Sequence, residues 1–189
     1  MGQKTDLTLH QVQSKLTLES LKTEHPGLTT HFGGMLAETC AICLDQQGHS
    51  SGTRLNSDGI RKQNFSVVWT FAVTETMQKC YRDAEFATEN GAYALAILIL
   101  QDLTGFKVVE RSRKGNGFDF YLGQHEGNLF QNKVRLEVSG IRNGDNIIVS
   151  RRMKEKLDRL KKYDSLLPAY VAIVEFGQPF AKVIKHDEN

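Results

Sequence analysis

Proline and cysteine are scarce in this 189-residue chain, with three of each, and there is a single tryptophan. Three prolines beside 16 glycines exclude a collagen-like or proline-rich chain. Three cysteines cannot pair completely, so a disulfide scaffold is excluded and a reducing, cytoplasmic compartment is expected. No secretory leader is read, because residues 1–6 are polar and lead into no apolar stretch. Long hydrophobic runs are also missing. The longest, residues 92–100, is about half of what a bilayer requires, so no membrane partner is expected. There is no Gly-x-Ser-x-Gly elbow, no dinucleotide fingerprint and no phosphate-binding Gly-Lys-Ser/Thr loop. These absences argue against a serine hydrolase, a nicotinamide enzyme and a P-loop nucleotidase. No internal repeat or low-complexity tract is visible.

What is present is ordinary in amount and uneven in placement. Hydrophobic residues make up 40% and charged residues 24%, as in a globular protein of one core. The net charge is +2. Residues 1–100 carry 8 basic and 10 acidic side chains, and residues 101–189 carry 16 and 12. The basic surplus therefore belongs to the second half, where it serves either solvation or an anionic partner.

The first 72 residues read as a helical and hairpin extension. Leu9, Val12, Leu16 and Leu21 give residues 1–25 a loosely amphipathic helical pattern, stopped by Pro26 and Gly27. Residues 33–47 carry Leu36, Cys40, Cys43 and Leu44 at helical spacing, and Gly48 suits the C-terminal cap. Residues 53–55 and 65–69 are expected to pair as a hairpin, with a turn signal over residues 56–59. Cys40-x-x-Cys43 with His31 and His49 has zinc-like elements, but one CxxC inside an amphipathic helix reads as core.

Residues 73–189 read as the core. A helix over 74–85 precedes another over 87–103, apolar nearly all round and ended by Thr104 and Gly105. A strand over 106–111, a tight turn over 114–117 and a strand over 118–122 follow. A loop over 124–128 leads into a long strand over 129–141. Its later part alternates, with Val134, Leu136 and Val138 on one face and Arg135, Glu137 and Ser139 on the other. After a turn at 142–145 come a Lys/Arg-rich helix over 146–163, an apolar strand over 169–176 and a last edge strand over 180–185. The order is αβββαβ, an α/β domain with a mixed sheet in which the second helix serves as a parallel crossover.

Three acids stand at informative places. Asp119 opens a strand after a glycine-rich turn, Glu137 lies mid-strand, and Glu89 lies near the start of the apolar helix. Neighbouring strands can bring an Asp and a Glu within reach of one hard cation, Mg²⁺ or Mn²⁺. Each acid also has a plain structural reading. Asp119 can bind turn amides, Glu137 can pair with Arg135, and Glu89 can favour a helix N-terminus capped by Thr88. The cations have two readings as well. Residues 151–162 hold seven cations and two acids, either a solvated helix face or a phosphate surface including Arg151 and Arg152. Arg111, Arg113 and Lys114 form a cationic turn next to Asp119.

With that order of elements and acids, residues 87–185 resemble the PD-(D/E)xK restriction-endonuclease-like superfamily. The resemblance implies Mg²⁺- or Mn²⁺-dependent hydrolysis of phosphodiester bonds in DNA or RNA. It casts Asp119 and Glu137 as metal ligands and Glu89 as a third acid on the first core helix. The sequence departs from the signature at two points: Phe118 precedes Asp119, and Ser139 stands where the family has lysine. Arg135, Lys133 or a cation of the 111–114 turn is then expected to replace that lysine. The alternative is a non-catalytic nuclease-like module that binds nucleic acid, or acts as a homodimer or a subunit of a larger assembly.

Overall fold

Each α-helix opens on a side chain that accepts from its first free amides. The computed structural model describes residues 14–126, 129–162 and 167–187. It begins with strand β1 (Ser14–Thr17), a 3-10 turn over Leu18–Lys22 and helix α1 (Thr30–Asp45), where Thr29 accepts from the Phe32 amide. Strands β2 (Thr53–Gly59) and β3 (Gln63–Val68) form a hairpin. Helix α2 (Glu75–Cys80), capped by Thr74, is brief, and Asp83 then caps the 21-residue α3 (Ala84–Thr104). Gly105 closes α3 in the left-handed region, at φ 76°. Strands β4 (Lys107–Arg111), β5 (Phe120–Glu126) and β6 (Leu129–Ile141) follow. Helix α4 (Asn146–Leu160), capped by Asp145, leads to β7 (Ala169–Glu175) and β8 (Phe180–His186).

The strands make one eight-stranded mixed sheet in the order β1-β3-β2-β8-β7-β6-β5-β4. The fold is mixed α/β, with four α-helices among the described residues. Helices α1 and α3 cover one face, and α4 covers the other over β6, β7 and β8. Strand β6 pairs antiparallel with β5 and parallel with β7, as the α4 crossover requires. Two glycines set how closely α3 packs. A Cβ at Gly91 would lie 3.1 Å from the Cys40 Cα of α1, and one at Gly140 would lie 2.4 Å from the Thr88 carbonyl oxygen. Helix α3 is thereby held against both α1 and β6. Residues 14–68 and the later elements share this sheet and one apolar cluster.

Several expectations change. Residues 14–22 are a strand and a 3-10 turn rather than a helix, because β1 pairs in parallel with β3 and buries Leu16. Leu9 and Val12 lie outside the described residues. The signal over 56–59 is not the hairpin turn, which falls at 60–62. Residues 56–59 instead pair in parallel with β8, and Gly59 is needed because a Cβ there would overlap the Val183 carbonyl oxygen. Strand β8 is accordingly interior, between β7 and β2. Strand β5 runs on to Glu126 past a register shift after Leu122, and residues 127 and 128 of the expected loop lie outside the described residues. Thr88 lies inside α3, because the cap is Asp83. No helix among the described residues is long and apolar enough to cross a membrane.

Candidate active site

Asp119 is fixed by backbone before its side chain acts. Its amide donates to the Leu136 carbonyl and its own carbonyl accepts from the Ser112 amide, both at 2.8 Å. Regular β5–β6 pairing begins at Phe120 and Leu136. One residue beyond, the Asp119 carboxylate takes over as a strand partner, and its Oδ2 accepts the Val138 amide at 2.8 Å. An acceptor-only side chain at that point satisfies a strand amide that would otherwise be orphaned. Glu137, next to Val138, projects toward α4 and is 3% exposed. The Lys156 ammonium of α4 donates to Glu137 Oε1 at 2.6 Å. From α3, the Tyr93 hydroxyl lies 2.6 Å from Glu89 Oε1 and 2.9 Å from Asp119 Oδ1. An edge-to-face contact with Phe120, 5.0 Å between centroids, sets the Tyr93 ring.

Burial raises both central carboxyls. Glu137 is pushed up to about 7, first by desolvation and then by the charge of Asp119, with Lys156 pulling it back. Asp119 is raised by burial, against the Val138 amide, Tyr93 and Lys156. The charge of Asp119 is the second cause of the rise at Glu137, so the two carboxyls titrate as an interacting pair. Burial and the adjacent carboxylates hold the Tyr93 hydroxyl proton in place, keeping it a donor.

Among the described residues no three His, Cys, Asp or Glu side chains form a ready metal cage. Asp119 and Glu137 line one cavity, and the Tyr93 hydroxyl stands between Asp119 and Glu89. Two carboxylates lining one cavity fit Mg²⁺ or Mn²⁺, because Mg²⁺ is commonly held by one or two carboxylates and completes its shell with water and phosphate oxygens. Burial raises both carboxyls, and a bound cation would favour their ionised forms.

A cavity of about 570 Å³ opens over the pair. Glu89, Tyr93, Asp119, Glu137 and Lys156 line it, with Arg111, Arg113, Lys114 and Arg159 around them. A second cavity of about 500 Å³ adjoins it and also includes Glu89, Val138 and Lys156.

The three acids singled out in the sequence thus meet at one cavity, as do Arg111, Arg113 and Lys114. Others do not. Arg135 is fully buried and does not line the cavity. Its Nε donates to the Leu167 carbonyl at 3.0 Å, and its guanidinium lies 6.0 Å from the Phe118 ring centre. Lys133 is exposed, 4.0 Å from Glu110 and over the Tyr121 ring. Arg151 is exposed near Glu155, whereas Arg152 reaches the Ser139 hydroxyl at 3.1 Å. Cys40 and Cys43 are buried in α1, and His49 bonds the Gly177 carbonyl, so these residues serve packing.

Two site residues escaped the sequence reading. Lys156 had a signal: Val149, Met153 and Leu160 form the buried stripe of α4, and residue 156 falls on it by spacing. A lysine on an apolar stripe calls for an anionic partner. Tyr93 stands one turn after Glu89, the spacing at which helix side chains meet. No family model, no curated protein and no solved structure matches the chain.

Proposed function

We propose that this protein is a divalent-metal-dependent nuclease with a restriction-endonuclease-like core, hydrolysing phosphodiester bonds in DNA or RNA. The observation that carries this reading is Lys156. Its ammonium, 2.6 Å from Glu137, brings from α4 the cation that Ser139 does not supply from the strand. The run α3-β4-β5-β6-α4-β7 has the matching order of elements.

Asp119 and Glu137 are the residues to hold Mg²⁺ or Mn²⁺. When bound, such an ion polarises a phosphoryl oxygen and acidifies an attacking water. The side chains do the rest. Lys156 orients the water beside Glu137 and offsets negative charge building on the phosphoryl group. Tyr93 holds Asp119 and keeps Glu89 turned toward it. Arg111, Arg113, Lys114 and Arg159 bind the phosphates of the strand.

The test is cleavage of single- and double-stranded DNA and RNA with Mg²⁺ or Mn²⁺. Asp119→Ala and Glu137→Ala abolish cleavage and retain the fold. Unchanged cleavage in both variants refutes the assignment. Salt-sensitive binding without cleavage by the unaltered protein marks a non-catalytic module or complex subunit instead.

A further inference from the structure

We propose that the second cavity is a subsite for the phosphate next to the scissile one, gripped by Arg142 and Arg152 over Ser139. This rests on the nuclease reading and adds which part of the strand must be held. The two cavities share Glu89, Val138 and Lys156, so these three stand at the waist of a two-lobed cleft, with Asp119 and Glu137 in the first lobe beside it. All three walls run in the same sense from the first lobe to the second. On α3 the order is Tyr93, Glu89, Glu85; on β6 it is Glu137, Val138, Gly140; on α4 it is Arg159, Lys156, Arg152. The α4 wall covers ~10 Å from Arg159 to Arg152 at the helical rise. From Glu137 to Ser139 the strand advances ~7 Å. The lobes therefore lie end to end, and the acids do not close a blind pocket.

The second lobe has the chemistry of a phosphate seat. Ser139 and Gly140 line it from β6, and neither brings a charge. Arg152 Nη1 donates to the Ser139 hydroxyl at 3.1 Å, while its Nε faces Glu155 at 3.6 Å. Arg142 enters from the end of β6, its Nη2 anchored on Gln46 Oε1 at 2.6 Å. Of the two acids on this lobe, Glu85 stands in the first turn of α3 and Glu89 is bound by Tyr93. Two guanidinium groups beside these uncharged residues suit the paired oxygens of a phosphodiester. Ser139 then has a purpose: with the cation moved to Lys156, its position is free for the strand.

The experiment removes one phosphate charge at a time. Short DNA and RNA oligonucleotides carry a single neutral methylphosphonate on one side or the other of the cleaved bond. Binding is measured with the inert Asp119→Asn protein, and cleavage with the unaltered one. On one side the neutral linkage weakens binding about tenfold, as expected for a charge-assisted contact. In Arg142→Gln and in Arg152→Gln proteins the same replacement has little further effect. Equal tolerance on both sides, or undiminished sensitivity in both variants, overturns the subsite while leaving the nuclease reading intact if unmodified strands are cut. Absence of both cleavage and salt-sensitive binding with unmodified strands overturns the nuclease reading and the subsite with it.

Discussion

Val134, Leu136 and Val138 point from β6 toward α3, and Arg135, Glu137 and Ser139 point from the same strand toward α4. The first set is 0–4% exposed and the second 0–7%, so the two faces are about equally buried. They differ in what burial costs. Each apolar side chain contributes about 1.5–3 kcal/mol by leaving water. Each polar one loses hydration and must recover it from the protein. Arg135 recovers part from the Leu167 carbonyl, Glu137 from Lys156, and Ser139 from Arg152. A well-packed apolar face would be at least as stable. Stability alone therefore does not account for the polar face.

The largest test separates those two costs. Glu137→Gln should lower metal-dependent cleavage about a thousandfold, since several kcal/mol of transition-state charge stabilisation depend on the bound ion. Its melting temperature at pH 8 should be unchanged or higher, because an amide at that place relieves the repulsion with Asp119 and still accepts from Lys156. Leu136→Ala on the opposite face should lose about 3 kcal/mol of stability and keep metal-dependent cleavage below its lowered midpoint. A Glu137→Gln protein that unfolds, or a folded Leu136→Ala protein with no activity, would erase the contrast.

The next effect concerns Lys156. Lys156→Met leaves Glu137 buried without its cation and should slow single-turnover cleavage about a hundredfold. Lys156→Arg should keep part of the rate. Adding Ser139→Lys to Lys156→Met returns the cation to the strand and should recover at least about tenfold of the loss. No recovery would show that the helix and strand positions are not equivalent.

The same contrast explains what the sequence revealed. The apolar face of β6 obeys a two-residue period, and its strand is found at 129–141 with the bounds of the structure. The apolar α3 and the β4–β6 run were legible for the same reason: local pattern and burial agree. Where tertiary pairing decides, local reading failed. Ser14–Thr17 is a strand only because β3 lies beside it, and β8 is interior only because β2 adds to its outer side. At the site, Asp119, Glu137 and Glu89 were legible as acids at element boundaries and strand centres. Arg135 is visible in the sequence as a strand neighbour of Glu137, whereas the contact of Lys156 across the crossover helix is not.

A smaller effect appears in the dependence of stability on pH. Glu137 has a folded value of about 7 against an ordinary 4.5, so the folded protein holds that proton longer than the unfolded chain. This contribution to stability is complete below about pH 4.5 and is lost as pH rises toward 7. His25 works in the opposite sense. Its Nδ1 accepts the Val108 amide, and burial lowers it from 6.5 to about 4. Its contribution is complete above pH 6.5 and is lost as pH falls toward 4. The two slopes overlap and partly cancel in the unaltered protein. Glu137→Gln should remove the Glu137 part of the opposition to the His25 slope, so its midpoint rises more steeply between pH 4.5 and 6.5. Thermal melts at half-unit pH steps read the difference, and parallel curves for the two proteins would refute the raised carboxyl. Saturating Mg²⁺ should flatten the part of the slope that Glu137 contributes in the unaltered protein, since the ion favours the ionised carboxylate.

The smallest expected effect comes from Lys133. It lies on β6 on the same face as Arg135, Glu137 and Ser139, but it is exposed, and its carboxylate neighbour Glu110 is 4.0 Å away. An ion pair in water at that separation contributes little, so Lys133→Ala should shift stability by less than about 0.5 kcal/mol. Because the side chain stands outside both cavities, cleavage of a short oligonucleotide should proceed at the unaltered rate. Arg151→Ala, on the outer side of α4, should behave alike. These two substitutions keep the strand and helix and change only exposed charge. If either slowed cleavage as Lys156→Met does, burial beside Glu137 would no longer be what distinguishes the working cations of this half of the chain from its solvated ones.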